Sequence, residues 1–141
     1  MRIIPGAIAI FVSAAAITAC AQRTPTAPDT ATLTLRPGQE VSLLGSVTYA
    51  LLVEVASDSR CPGDVLCVTA GNAAAVVGIR VGSGPTIPYT LNTTTEPRTV
   101  STSGYELRLD SLNPYPRTTL TTNQSDYVAY VSVTRANGGA P

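Results

Sequence analysis

The hydrophobic pattern of the chain is one of short, interrupted runs. From Thr32 onward, stretches of β-branched and aromatic residues are broken by Gly, Pro, Asn and Ser about every ten residues. No segment keeps a helical period of apolar positions, so the pattern favours strands joined by turns. We therefore predict one all-β domain over residues 32–136, a small antiparallel β-sandwich or barrel of about eight strands.

Four segments show the strand pattern most clearly. At 47–55 the odd positions are apolar and predict one buried face, because successive strand side chains point to opposite sides. The segment 73–81 alternates in the same way with Arg80 on its polar face, and 105–109 alternates against charged residues. The segment 127–133 is apolar on both faces over part of its length, which indicates a central strand or one paired near a chain end.

Turn signals separate these runs. The Arg-Pro-Gly-Gln sequence at 36–39 places Pro and Gly where a type II turn requires them, so it predicts a hairpin between 33–35 and 41–44. Gly-Asn at 71–72 predicts a two-residue hairpin between the run before it and the next strand. Ser-Gly at 103–104 predicts a turn of the same kind.

The first 19 residues have the organisation of an export signal. Arg2 supplies the charged start, an apolar run follows from Ile3 to Ile17, and small residues precede Cys20. The apolar run is shorter than the roughly 20 residues that a membrane-spanning helix needs. We therefore predict a signal peptide over residues 1–19.

The sequence Ile17-Thr18-Ala19-Cys20 closely resembles the lipobox of bacterial lipoproteins. The resemblance implies that Cys20 is lipidated, becomes the first residue of the mature chain and attaches it to a membrane. By resemblance to enterobacterial lipoprotein sorting, Ala instead of Asp at position 21 implies the outer membrane, facing the periplasm, in a Gram-negative host. The alternative interpretation is an ordinary cleavage site that releases a soluble protein.

The segments at the two ends of the domain differ from it in composition. Residues 20–31 are predicted to be the lipidated cysteine and an extended tether, because prolines at 25 and 28 stand among small polar residues. A tether of about a dozen residues reaches roughly 35 Å, which keeps the domain near the membrane. Residues 137–141 are predicted to be a disordered tail.

Charge and composition narrow the function. Nine arginines match nine acidic residues, so there is no excess positive charge for a nucleic-acid partner. Histidine is absent, which removes the commonest general base and the commonest metal ligand of proteins. We therefore predict a protein that is not an enzyme and that uses no metal or cofactor.

The remaining cysteines predict a disulfide. With Cys20 assigned to the lipid, Cys61 and Cys67 are an even pair in an oxidising compartment. Pro62 and Gly63 allow the chain between them to fold back far enough for a bond. A redox pair is the alternative, but such pairs usually have two intervening residues at a helix start, whereas five intervene here. A structural bridge is therefore favoured.

The segment 58–73 contains Asp-Ser-Arg-Cys-Pro, a second cysteine and Ala-Gly-Asn-Ala. It resembles the D-S-R-C-P, C and A-G-x-A signature of a family of small, uncharacterised bacterial envelope proteins. A second similar element is Leu-Arg-Leu-Asp-Ser-Leu-Asn-Pro-Tyr-Pro at 107–116. The resemblance implies an envelope protein and brings no activity with it.

Four residues are candidates for binding. Asp58, Arg60 and Asp64 belong to a loop made rigid by the disulfide, which is a typical position for recognition residues. The structural alternative is that Asp58 turns the chain, Arg60 pairs with it and Asp64 accepts from turn amides. A calcium site at Asp58 and Asp64 is a further alternative, although the spacing matches no known calcium loop. Tyr115, between two prolines, is either a contact anchor or a plug for the end of the barrel.

Together these features predict a membrane-anchored envelope lipoprotein that acts as a non-catalytic binding or accessory module, with an envelope protein as its partner. An inhibitor of a periplasmic hydrolase is an alternative that rests on fold analogy alone. A glycan hydrolase is a second alternative, since paired carboxylates perform acid and base chemistry without His. Its candidate residues are Asp58, Asp64, Glu106 and Asp110.

Overall fold

Eight strands make up most of residues 29–136, the part of the chain that the computed structural model describes. They are β1 (Thr30–Leu35), β2 (Val41–Ser42), β3 (Thr48–Asp58), β4 (Ala73–Val81), β5 (Ile87–Asn92), β6 (Thr99–Thr102), β7 (Tyr105–Asn113) and β8 (Val128–Arg135). A short 3-10 turn, Gln124–Asp126, precedes β8. The predicted signal peptide, the lipidation of Cys20, the tether up to residue 28 and the tail 137–141 lie outside the described residues.

Two four-stranded antiparallel sheets form a sandwich. The first sheet has the order β1-β8-β7-β6 and the second has the order β2-β3-β4-β5. Their inward side chains form the core, and the largest fully buried ones are Leu35, Leu43, Leu52, Leu91, Leu107, Leu109, Leu112, Val77, Val131 and Val133. The predicted all-β sandwich with about eight strands is therefore confirmed. β1 begins at Thr30, two residues before the predicted start, because Thr30 and Ala31 pair with β8.

Three of the predicted strand patterns are confirmed. Alternate residues of β4 and β7 are buried, and Arg80 lies on the outer face of β4 as predicted. β8 lies between β1 and β7, and its first residues, Val128 and Ala129, are both buried. The apolar residues on both faces of 127–133 thus belong to a central strand, which is one of the two positions that the pattern indicated.

The predicted buried face of β3 is wrong. In its first half the buried residues stand at even positions and are Thr48, Ala50 and Leu52. A β-bulge between Leu52 and Glu54 then turns Val55 inward, because one extra residue reverses the alternation of the strand. The side-chain amide of Gln124 stabilises this irregular segment, since it bonds both the N–H and the carbonyl of Val55 at 2.8 Å.

The hairpin predicted at 36–39 is also wrong. The turn itself forms, and the N–H of Gln39 donates to the carbonyl of Arg36 at 3.2 Å. However, β1 pairs with β8 and β2 pairs with β3, so the turn carries the chain from one sheet to the other. A local turn signal specifies the bend but not the strands that pair on either side of it.

The other two turn predictions have opposite outcomes. The hairpin at Gly71-Asn72 is wrong, because residues 59–72 form one long loop between β3 and β4, which we call the disulfide loop. Its two ends meet where Ser59 N–H donates to the carbonyl of Asn72 at 2.7 Å. The Ser-Gly turn at 103–104 joins β6 to β7 as predicted, and both of its residues have a positive φ.

The strand directions define two ends of the sandwich. The end that we call the loop end carries the disulfide loop and the loops 93–98 and 114–127. The opposite end, which we call the termini end, carries the turns 43–47, 82–86 and 103–104. At the termini end the N–H of Arg135 donates to the carbonyl of Asp29 at 2.7 Å, so the first and last described segments lie side by side.

Candidate functional site

The disulfide loop is closed at three levels. The predicted bond between Cys61 and Cys67 is confirmed, with the two Cα atoms 5.9 Å apart. Below it, the N–H of Cys61 donates to the carbonyl of Ala70 at 2.8 Å. Gly71 permits the close approach at the base, because a Cβ at this position would lie 1.8 Å from the carbonyl oxygen of Ser59. The loop therefore has a rigid base from which its outer residues project.

Arg60 is almost completely buried and links the disulfide loop to β7. Its Nε and Nη2 donate to the two carboxylate oxygens of Asp58 at 2.8 and 2.6 Å. Its Nη1 donates to the carbonyl of Leu112, and Nη2 also donates to that of Pro114 at 2.9 Å. The planar guanidinium has donors in the directions that these acceptors require. Arg60 thus fixes the loop against the end of β7 and the loop after it.

Asp58 supplies the negative charge of this ion pair. Its side chain is only 9% exposed, and the hydroxyl of Tyr127 also donates to it at 3.2 Å. Burial raises the pKa of Asp58, but the hydrogen bonds and the charge of Arg60 outweigh burial and leave the pKa below its ordinary value. Burial and the nearby Asp58 raise the pKa of Tyr127. Asp58 and Arg60 therefore bind each other inside the protein and do not stand on an exposed edge.

Asp64 and Tyr115, the other two candidate residues, lie further out. Asp64 accepts hydrogen bonds from the hydroxyl of Thr118 at 2.6 Å and from its N–H at 3.1 Å, and these bonds lower the pKa of Asp64. Tyr115 is half exposed, and the Cζ of Arg60 lies 4.8 Å from its ring centre. Both residues remain accessible, and their role in binding stays a prediction.

The most exposed apolar residues of the loop end were missed by the sequence reasoning. Leu66 and Val68 are fully exposed on either side of Cys67, and Val65 is 44% exposed. We call these three residues the apolar tip. A signal for Val65 and Leu66 exists in the sequence, because the five residues between Cys61 and Cys67 form a loop too short to reach a core, and Val68 follows directly after that loop. Leu120, on the neighbouring loop, is also largely exposed.

A cleft of about 230 Å³ lies beside the base of the disulfide loop. β7 contributes Asp110 and Ser111, which are both exposed because a register shift between Leu109 and Ser111 interrupts the alternation. The other lining residues are Arg60, Ala70, Thr93, Thr94, Leu112, Asn113 and Tyr115. Asp110 is the one carboxylate of the cleft, whereas acid and base hydrolysis of a glycan requires two.

The remaining carboxylates named by the sequence do not gather at this cleft. Asp58 is paired with Arg60, Asp64 is bonded to Thr118, and Glu106 lies on the outer face of β7. Within residues 29–136 there is also no group of three or more Cys, Asp or Glu side chains placed to hold a metal ion. The loop end therefore presents projecting side chains and, beside the base of the disulfide loop, a cleft lined by both polar and apolar atoms.

Comparisons of the chain with protein-family models, with curated proteins and with solved structures give no match. In the described part of the chain, no helix has the length and the apolar character needed to cross a membrane.

Proposed function

We propose that this chain is an exported lipoprotein, anchored through Cys20, whose sandwich domain is a non-catalytic module that binds an envelope protein. The observation that supports this proposal is the apolar tip, where Leu66 and Val68 are fully exposed on a loop with a rigid base. A contact between these side chains and a partner buries apolar surface, which is the main driving force of protein association. Because the loop is already ordered, little conformational entropy is lost when it binds.

The position of the apolar tip agrees with attachment of the protein to a membrane through Cys20. The described chain starts at Asp29, at the termini end, and the disulfide loop lies at the opposite end of the sandwich. A tether that leaves from the termini end directs the apolar tip away from the membrane to which Cys20 is attached. In a Gram-negative host with the protein in its outer membrane, the tip then faces the periplasm and the proteins in it.

Capture of the partner by the full, lipidated protein in its native host tests the proposal. We expect covalent crosslinking of the wild-type protein to recover an envelope protein, and the double variant Leu66→Ser, Val68→Ser to lose it. Val53→Ser is the matched control, because Val53 has the same apolar character and is 44% exposed on the outer face of β3. Recovery of the same partner by the double variant would show that the apolar tip is not the binding surface.

Inhibition of a periplasmic hydrolase is a second candidate, and the rigid, projecting form of the apolar tip favours it. A preorganised apolar loop is well suited to fill the substrate pocket of an enzyme, because it loses little conformational entropy on binding. The target enzyme, a periplasmic peptidase or glycan hydrolase, should then lose activity in proportion to the amount of the sandwich protein that is added. Absence of inhibition by the wild-type protein would contradict this candidate, and inhibition that the Leu66→Ser, Val68→Ser variant retains would show that the apolar tip is not the inhibitory surface.

A further inference from the structure

The termini end also exposes apolar side chains. Val47, Val81 and Ile87 are 65%, 48% and 52% exposed. They are neighbours, since the N–H of Gly82 donates to the carbonyl of Val47 at 2.8 Å, and Val81 and Ile87 line one cavity of about 140 Å³. These three residues form a patch that the proposed function does not use, and we call it the proximal patch.

The proximal patch lies next to the place where the described chain begins. Ser103 lines the same cavity, and the adjacent Gly104 accepts a hydrogen bond from the N–H of Ala136 at 2.9 Å. The neighbouring Arg135 donates its N–H to the carbonyl of Asp29 at 2.7 Å. A continuous path of contacts therefore connects the patch with the first described residue.

We propose that the proximal patch rests on the lipid surface to which Cys20 is attached. This inference rests on the lipid anchor of the proposed function. Residues 20–28 link the anchor to Asp29, and nine residues extend at most about 32 Å at roughly 3.6 Å each. The tether thus keeps the termini end close to the bilayer at a high effective concentration. Exposed aliphatic side chains at that end lose contact with water when they enter the interface.

Tryptophan fluorescence in vesicles tests this orientation, because the chain contains no tryptophan of its own. The full, lipidated protein is prepared with Ile87→Trp at the proximal patch, or with Val68→Trp at the apolar tip as the matched control. Each is inserted into phosphatidylcholine vesicles with and without brominated acyl chains. We expect about a twofold loss of fluorescence at position 87, since interfacial side chains lie within reach of the acyl chains, and no loss at position 68.

Intact-mass measurement of the same preparations separates the two proposals. Suppose that Cys20 carries acyl mass but the brominated chains quench the fluorescence at positions 87 and 68 equally. That result would overturn the proposed orientation and leave the anchor intact. A missing acyl mass would overturn the anchor and this inference together. Val47→Trp is a second reporter of the proximal patch and should be quenched in the same way. It keeps the test decisive if Ile87→Trp disturbs the local fold.

Discussion

Arg60 and Arg80 form the same kind of site in two different regions of the molecule. Each pairs with a carboxylate, Asp58 or Glu40, and the Cζ of each lies 4.8 Å from the centre of a tyrosine ring. The two pairs differ in burial. The side chains of Arg60 and Asp58 are 5% and 9% exposed, whereas those of Arg80 and Glu40 are 24% and 37% exposed.

The difference in burial gives the two ion pairs different roles. Arg60 also bonds the carbonyls of Leu112 and Pro114, so it holds the disulfide loop to the end of β7 and to the loop after it. Arg80 lies on the outer face of the sheet, and its one carbonyl acceptor is that of Gly82, only two residues further along the chain. A buried pair with further acceptors is part of the architecture, whereas an exposed pair adds little because water and salt compete with it.

The largest expected effect comes from removing each arginine in turn. Arg60→Ala leaves the Asp58 carboxylate buried without its partner, which should lower the free energy of unfolding by about 3–5 kcal/mol. Arg80→Ala should lower it much less, because that pair is partly exposed and water competes with it. Urea unfolding of the two variants measures both values.

Arg60→Lys separates charge from geometry in the same experiment. A lysine keeps the positive charge but has no planar fork with which to bond Asp58 and the two carbonyls at once. We expect its loss of stability to lie between those of wild type and Arg60→Ala. Equal losses for Arg60→Ala and Arg80→Ala would show that burial does not distinguish the two sites.

The disulfide should contribute less than Arg60 to the stability of the loop end. Replacement of Cys61 and Cys67 by Ser opens a loop with a sequence separation of six, for which chain entropy corresponds to about 2 kcal/mol of stability. Urea unfolding with and without a reductant measures the same contribution in the wild-type protein. A double variant as stable as wild type would mean that Arg60 and the backbone bonds restrain the loop by themselves.

Acid should affect the two ion pairs to different degrees. The pKa of Asp58 is lower in the folded protein than its ordinary value, so its contribution is complete above about pH 4 and is lost as the pH falls through the folded pKa. Asp58→Asn should therefore flatten the decline in unfolding free energy below about pH 4. Hydrogen bonds from Arg80 also lower the pKa of Glu40, but that group is solvated, so Glu40→Gln should change the decline less. A flatter curve for Glu40→Gln than for Asp58→Asn would contradict the comparison.

Salt should produce the smallest difference. At about 1 M salt the screening length falls to about 3 Å, and the exposed pair of Arg80 and Glu40 should lose most of its coupling energy. The buried pair of Arg60 and Asp58 should keep its coupling, because solvent ions do not reach it. Double-mutant cycles at low and high salt measure both coupling energies. An equal decline of the two coupling energies with salt would show that the two pairs are equally exposed to solvent.

The strands that sequence reasoning predicted correctly have a strict alternation and one covered face. β4 and β7 meet this condition, and their buried residues follow from a period of two. β3 does not, because it carries apolar residues on both faces and changes register after Leu52. The apolar pattern of β3 is compatible with burial of either face. Only the pairing with its partner strands and the hydrogen bonds with Gln124 decide which face is buried.

The candidate site, like the strands, was predictable from the sequence only in part. Once export is predicted, two cysteines separated by five residues suffice to predict the disulfide, because the loop between them is local. The burial of Arg60 was not predictable in this way. Its carbonyl partners lie more than fifty residues further along the chain, and they become its neighbours only when the sandwich forms.

By itself, the sequence determined the all-β class, most of the strands and the pairing of Cys61 with Cys67, because alternation and short loops depend on residues that are close in the chain. Tertiary structure alone decided which strands share a sheet, that β1 and β2 belong to different sheets, and that Arg60 is buried. It also decided that the apolar tip lies at the end of the sandwich opposite to the first and last described residues. These features depend on contacts between distant segments, and such contacts arise only from the packing of complete sheets.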